Sequence, residues 1–258
     1  MDILSAVILS IIQGVTEFLP ISSKGHLTIA ESFIGSQQKS VSNLSFFTLL
    51  HFGSLIAILF HYRRELIKLL KSRSVVILYI IIATIPVGAT GLILRNHLKS
   101  FYENPIYACC GLIVTGVTLL IAEYKSTETT NMSNMGFKKS LLIGFAQIIA
   151  LLPGVSRSGT VLSASFVCGI NRVEAVGFTF FLGIPVILGA CILEGKDLIT
   201  NQAQIDFLPI IIGISVTFIV SLFAINIVKV LAAKKRLVYF SMYCFVAGVS
   251  LLIYFLIK

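Results

Sequence analysis

Apolar residues dominate the chain in long unbroken runs, without the period of a half-buried helix or strand. Uncharged runs cover 74–94, 104–122, 175–193, 207–228 and 237–257. Each is close to the roughly 20 residues that carry a helix across a hydrocarbon core of about 30 Å. A sixth run, 40–62, is interrupted only by His51 and His61. These runs predict six membrane-spanning helices, near 44–61, 75–94, 105–123, 175–193, 208–228 and 237–257. Two other apolar runs break too early. The run 3–16 makes a helix of only about 21 Å before Glu17, and Pro20 then disfavours continuation. Ser22 or Ser23 is placed to cap a new helix running through His26 to Phe33. The run 140–156 breaks in the same manner at Pro153-Gly154 and resumes to about Ile170. A helix, a break and a short helix describe a re-entrant hairpin, tolerated at membrane depth only inside protein or beside a wet cavity.

Each hairpin is followed by three spans, so the chain reads as two halves, about 1–125 and 136–258, of one integral membrane domain covering 1–258. Setting Pro20 on Pro153 also sets Ser23 on Ser156 and Lys24 on Arg157. Basic residues alternate with the spans. The loop 62–74 carries Arg63, Arg64, Lys68, Lys71 and Arg73, and 229–236 carries four basic residues; both are expected inside. The stretch 124–139, with Lys125, Lys138 and Lys139 around a Ser/Thr/Asn-rich middle, is the expected linker and also faces inward. The loops 95–103 and 194–206 are expected outside. Three spans per half invert the second half, so the fold class is all-α: an inverted-topology repeat whose hairpins enter from opposite leaflets and meet near the midplane.

Composition narrows the reading further. The chain is 57% hydrophobic and 12% charged, with mean hydropathy +0.98, against about 25% charged residues in soluble domains. The net charge of +9 follows from the basic inner loops, so no nucleic acid partner is expected; membrane lipids are. The five cysteines lie in apolar surroundings with no metal or disulfide spacing and read as packing residues. Met1-Asp2 carries no basic stretch ahead of the first apolar run, so no cleaved signal peptide is expected.

Ionisable groups at membrane depth are costly and therefore functional candidates. Glu17, Lys24, His26 and Arg157 qualify. The fork of Arg157 suits two phosphate oxygens, and Gly154, Ser156 and Ser158 surround a helix start whose free N–H groups favour an anion. Ser22, Ser23 and Lys24 form a similar start in the first half. Together they predict a phosphate or diphosphate cradle. Glu17 serves either as general base for a serine or water, or as a ligand, with Gln13 four residues earlier on one helix face, for a divalent cation. A plain Glu17–Arg157 ion pair across the halves is the competing structural role. Ser23, between Glu17 and His26 at a backbone break, is the nucleophile candidate. His26 either relays a proton or is a satisfied structural histidine, and Lys24 either meets phosphate or snorkels to an interface. His51, His61 and His97 read as span or loop residues, and Asn171, Arg172 and Glu174 as a polar surface turn.

The motifs QGVTEFLPISSKGHL (13–27) and LPGVSRSGT (152–160) resemble the undecaprenyl-diphosphate phosphatase family linked to bacitracin resistance. HFGSLIAILFHYRREL (51–66), the IP at 85–86 and FFLGIPVILGA (180–190) are similar to family segments in the same order. The resemblance implies hydrolysis of undecaprenyl diphosphate to the monophosphate carrier of cell-wall synthesis, with Mg2+ or Ca2+. It implies Glu17 as motif carboxylate, Ser23 as nucleophile, His26 as motif histidine and Arg157 as phosphate-binding arginine. It also implies a bacterial plasma-membrane location, a cavity facing the outer side, a polyprenyl diphosphate substrate and compatibility with a homodimer. The sequence departs from the family pattern at Gln13 and Gly177, where Glu is common. A transporter or flippase for the polyprenyl phosphate carrier is the second reading, because midplane hairpins are transporter architecture. An acid-phosphatase-type lipid phosphatase is excluded, because all four histidines precede Arg157.

Overall fold

The computed structural model describes residues 3–34, 41–72, 74–102, 104–200 and 207–257. It is built from helices α1 (Ile3–Thr16), α2 (Ser23–Ile34), α3 (Val41–His61), α4 (Arg63–Lys71), α5 (Val75–Tyr102), α6 (Pro105–Lys125), α7 (Gly136–Ile148), α8 (Arg157–Val167), α9 (Arg172–Thr200), α10 (Phe207–Ala233) and α11 (Val238–Ile257). Among the described residues, five helices are long and apolar enough to span alone: α5, α6, α9, α10 and α11. The expected span near 44–61 counts as a sixth only when Phe46–His61 is joined to Arg63–Lys71, which turns away by 70°. The basic loop expected at 62–74 is therefore largely helix. It packs the partly buried Leu66 and Leu69 against the core while Ile67 and Leu70 stay exposed, so its apolar positions have a surface to lie on and the stretch winds up rather than looping.

The halves interlock. Helix α1 lies against α10, where Thr217 Oγ1 donates to Ser10 O at 3.2 Å and a Cβ on Gly14 would meet Thr217 O at 2.9 Å. Helix α7 lies against α5 in the corresponding way, with Ser140 Oγ donating to Tyr79 O at 2.6 Å and Gly144 against Ala83. The first helix of each half is thus packed on the central long helix of the other half. Helices α6 and α11 close the bundle antiparallel: Gly116 meets Ser241 and Cys109 meets Gly248. Small residues at these contacts let backbones approach, the packing that works where lipid removes a hydrophobic drive between helices.

Contacts between helix ends establish sidedness. Arg95 Nη2 donates to Leu193 O at 3.1 Å, bringing together the parts of α5 and α9 where the two outer loops are expected; 95–102 and 194–200 are helix, and 103 and 201–206 lie outside the described residues. The ring of Phe33, at the end of α2, meets Tyr254 and Phe255 of α11 at that same end. At the opposite end the three expected inner stretches converge. Arg172 reaches Glu123, Glu128 and Ala232 O, and Lys229 sits over the Tyr62 ring. Thr130 pairs with Ile170, so the 124–139 linker is stitched to the α8–α9 junction. Hairpin α1–α2 opens to the first end and hairpin α7–α8 to the second.

Arg172 corrects one expectation. It is 3% exposed, not part of a surface turn. Its guanidinium satisfies Glu123 Oε2 at 2.8 Å and Glu128 Oε1 at 3.3 Å, and lies over the Phe166 ring. Glu174 accepts from the Met132 N–H. A buried arginine persists where carboxylates and carbonyls replace its hydration: here α6 supplies Glu123, the linker Glu128 and α10 the Ala232 carbonyl.

Candidate active site

The two hairpin tips touch. A Cβ on Gly25 would come within 2.9 Å of the Gly154 Cα, and Ser158 Oγ donates to Leu19 O at 3.2 Å. Each break has its own local cause. In the first, Pro20 ends the α1 extension and Ser22 adopts φ +72°, a left-handed conformation uncommon for a side chain-bearing residue. Its hydroxyl accepts from Gly25 N at 3.3 Å at the start of α2. In the second, Gly154 adopts φ +79°, and a Cβ there would lie 1.9 Å from Ala108 O. Only glycine meets both demands. Ser156 caps α8 by accepting from Gly159 N at 3.0 Å, and its own N–H donates to Thr115 Oγ1 at 2.9 Å.

Glu17 sits at the junction, 7% exposed, with both carboxylate oxygens engaged. Oε1 accepts from Arg157 Nη2 at 2.7 Å, across the two halves. Oε2 accepts from Ser23 Oγ at 2.6 Å and from Gln13 Nε2 at 3.1 Å. The fourth neighbour is His51, whose Nδ1 is 3.3 Å from the same oxygen and 2.6 Å from Gln13 Nε2. His51 is buried and belongs to the site, contrary to its reading as a span residue. The signal lay in the sequence: an imidazole in an otherwise uncharged run needs partners, but which partners depended on how α3 packs on α1.

Arg157 divides its fork. Nη2 holds Glu17, while Nη1 is buried without a hydrogen-bond partner. The guanidinium lies against bare backbone of α9, where a Cβ on Gly183 would be 2.3 Å from Nη1. A buried guanidinium donor left open at the start of α8 is an arrangement that suits an anion. Ser156 and Ser158, linked Oγ to Oγ at 3.2 Å, flank it.

Two expected participants stand apart. Lys24 is exposed rather than enclosed with Glu17. His26 does not contact Glu17 or Ser23: its Nδ1 is 2.8 Å from Ser22 O and its Nε2 is 2.7 Å from Tyr243 Oη. A carbonyl only accepts, so Nδ1 carries a proton; in the neutral tautomer Tyr243 donates to Nε2. One turn of helix separates His26 from Ser23 in sequence, yet the twist of α2 sends the imidazole towards α11. Tyr243, Thr115 and Gly183 were not singled out by sequence, because they carry no charge and lie outside the two motifs.

Among the described residues no group of three or more His, Cys, Asp or Glu converges to hold a metal ion. The protein offers two oxygen donors in one place: the Glu17 carboxylate and Gln13 Oε1, which is buried without a partner. That set fits Mg2+ or Ca2+ only as part of a shell completed by phosphate oxygens and water, the way such ions are commonly held on phosphorylated substrates.

A family model described as bacitracin resistance protein BacA matches residues 6–250. The chain is 34% identical to an undecaprenyl-diphosphatase of Methanobrevibacter smithii, covering 96% of each chain. It is 34% identical to undecaprenyl-diphosphatase 1 of Shouchella clausii, covering 98% of this chain and 97% of that one. Identity to the undecaprenyl-diphosphatase of Carboxydothermus hydrogenoformans is 33%, with the same coverage.

Proposed function

The chain belongs to the bacitracin resistance protein BacA family, and from that premise we propose that it hydrolyses undecaprenyl diphosphate to undecaprenyl phosphate and inorganic phosphate. The observation that carries the reading is Ser23 donating to Glu17 at 2.6 Å while Glu17 holds Arg157 of the other half at 2.7 Å. A hydroxyl, its base and a phosphate clamp share one buried point. A carrier that only moved the lipid would have no use for a hydroxyl bonded to a carboxylate, which favours hydrolysis over transport.

The terminal phosphate enters between the hairpin tips and takes the open Nη1 of Arg157. Its oxygens compete with Glu17 for Nη2, freeing Oε1. Ser23 Oγ attacks phosphorus as Glu17 takes its proton, the P–O bond of the anhydride breaks, and undecaprenyl phosphate leaves with the bond pair. Glu17 passes its proton to the departing undecaprenyl phosphate; water then opens the phosphoserine, giving one proton through Glu17 to the leaving Ser23 oxygen and keeping its hydroxyl on the released phosphate. The N–H groups at the start of α8 stabilise the charge on the phosphoryl oxygens. A divalent cation, held by Glu17 and Gln13 Oε1 with substrate oxygens, would neutralise diphosphate charge. Hairpin α1–α2 opens to the end carrying the loops expected outside, which supports a cavity on the outer face of a bacterial plasma membrane, where the diphosphate is released during wall synthesis. The opposite opening of the two hairpins supports an inverted repeat.

Phosphate release by the purified protein tests the assignment. Glu17→Gln and Arg157→Ala are each expected to lower kcat by about a hundredfold or more. Turnover retained in both would overturn it. Rapid quench in acid after mixing with terminally labelled substrate should leave phosphate on Ser23; its absence, with full turnover in Ser23→Ala, would assign the attack to water instead.

A further inference from the structure

The site lies between the hairpin tips, while an undecaprenyl tail belongs in hydrocarbon. The diphosphate therefore reaches Glu17 through a gap between helices. Most seams around the site are closed backbone to backbone at a glycine. Gly14 closes α1 on α10, Gly53 closes α3 on α10 and Gly116 and Gly248 close α6 on α11. A Cβ on Gly111 would lie 2.0 Å from Pro153 O, so α6 is closed against the second hairpin.

The seam of α2 with α11 is built differently. The two helices meet through rings. His26 and Tyr243 stack with centroids 5.6 Å apart and share the 2.7 Å hydrogen bond. Phe33 meets Tyr254 at 5.4 Å and Phe255 at 5.8 Å. Seven residues along α2, about 10 Å at 1.5 Å per residue, separate the two ring contacts. Phe33, Tyr243 and Tyr254 are each more than 40% exposed on the outer surface of the bundle, where the surroundings are lipid. At the inner edge of the seam Cys244 Sγ approaches Pro20 O at 4.0 Å, beside the hairpin tip that carries Ser23. In the other half the corresponding hairpin is sealed on α6 at its tip, where Pro153-Gly154 meets Ala108 and Gly111 backbone to backbone. Side-chain rotation opens a ring contact on a far shorter timescale than helices separate.

We propose that the α2–α11 seam is the lateral portal and tail groove for the isoprenoid chain. Phe33 and Tyr254 line its outer mouth, and the His26–Tyr243 pair forms its inner gate. The inference rests on the phosphatase reading, whose headgroup site fixes where the tail must begin. The tail lies between α2 and α11, and the diphosphate passes the His26 ring to Arg157. Tyr243 positions His26: its hydrogen bond holds the ring across the seam until a substrate displaces it.

The test uses a full-length Phe33→Cys/Tyr254→Cys protein, with the native cysteines replaced, bridged by a short thiol reagent that dithiothreitol cleaves. Bridging is expected to lower undecaprenyl diphosphate turnover at least about tenfold and reduction to restore it. Hydrolysis of isopentenyl diphosphate, which has almost no tail, should stay within about twofold on bridging. Undecaprenyl diphosphate turnover unchanged on bridging would overturn the portal, as would an equal loss for both substrates. Phosphate release by the unbridged protein reports on the phosphatase reading separately. If the double variant does not fold, unmodified protein is irradiated with an undecaprenyl diphosphate analogue bearing a diazirine on its tail. Labels in α2 and α11 support the portal, and labels confined to other helices refute it.

Discussion

In the proposed reaction the two ends of the Arg157 guanidinium do different things. Nη2 is spent on Glu17 and Nη1 is kept open by the missing side chain of Gly183. A methyl at Gly183 has no room beside Nη1, so Gly183→Ala should push the guanidinium off Glu17 and lower kcat/KM by about ten- to a hundredfold. Gly189, on the same helix with nothing within 4 Å of an added Cβ, is the control. If both glycine variants behave alike, the close approach to Arg157 does not matter. His51 contributes through Gln13 and Glu17. Asparagine places an oxygen near the position of Nδ1, so His51→Asn should retain most activity, whereas His51→Leu should lose about ten- to a hundredfold in kcat with KM little changed. The partners of an ionisable group at membrane depth are where sequence ran out. Glu17, Ser23 and Arg157 were legible because each breaks an apolar run. His51 was visible but unassigned, and Gly183 was silent, because its role is the space it leaves for a side chain 26 residues earlier in the chain.

At the scale of elements, five of the six spans were legible from run length alone, the run 44–61 counting as a span only together with α4, and the breaks after α1 and α7 were legible from runs that end too soon at Pro20 and Pro153. What sequence missed were elements defined by contact. The stretch 62–74 carries five basic residues and reads as loop, but Leu66 and Leu69 give Arg63–Lys71 a core to pack on. The linker reads as free because it is polar. In the folded chain it delivers Glu128 to Arg172 and pairs Thr130 with Ile170. That makes Arg172 a fastener between the inner ends of α6, α9 and α10. Arg172→Ala leaves two buried or half-buried carboxylates facing each other and should destabilise by about 3–5 kcal/mol, seen as a lower unfolding midpoint in detergent. Arg172→Met, which fills the volume over Phe166, still strands those charges. It should therefore recover little if charge dominates, and most of the loss if packing does.

Across the whole molecule, the decisive contact joins residues 140 apart in sequence: Arg157 to Glu17. On the proposed reading neither half holds a complete site. The first brings carboxylate, hydroxyl and imidazole; the second brings guanidinium and the α8 helix start. The halves are also interlocked, α1 on α10 and α7 on α5, so the composite site is closed within one chain. A homodimer, if it forms, has no need to exchange hairpins. Co-expressing Glu17→Gln with Arg157→Ala separates the two possibilities. If each site is built from one chain, every chain in the mixture carries one broken half, and phosphate release should stay at the level of the single variants whatever the oligomeric state. If hairpins swap between protomers, half of the sites in mixed pairs, about a quarter of all sites under random pairing, would regain both residues and turnover would climb towards the wild-type rate by about that share. Purification through two different tags, one on each variant, isolates the mixed pairs, so low activity in that fraction places the whole clamp inside a single chain.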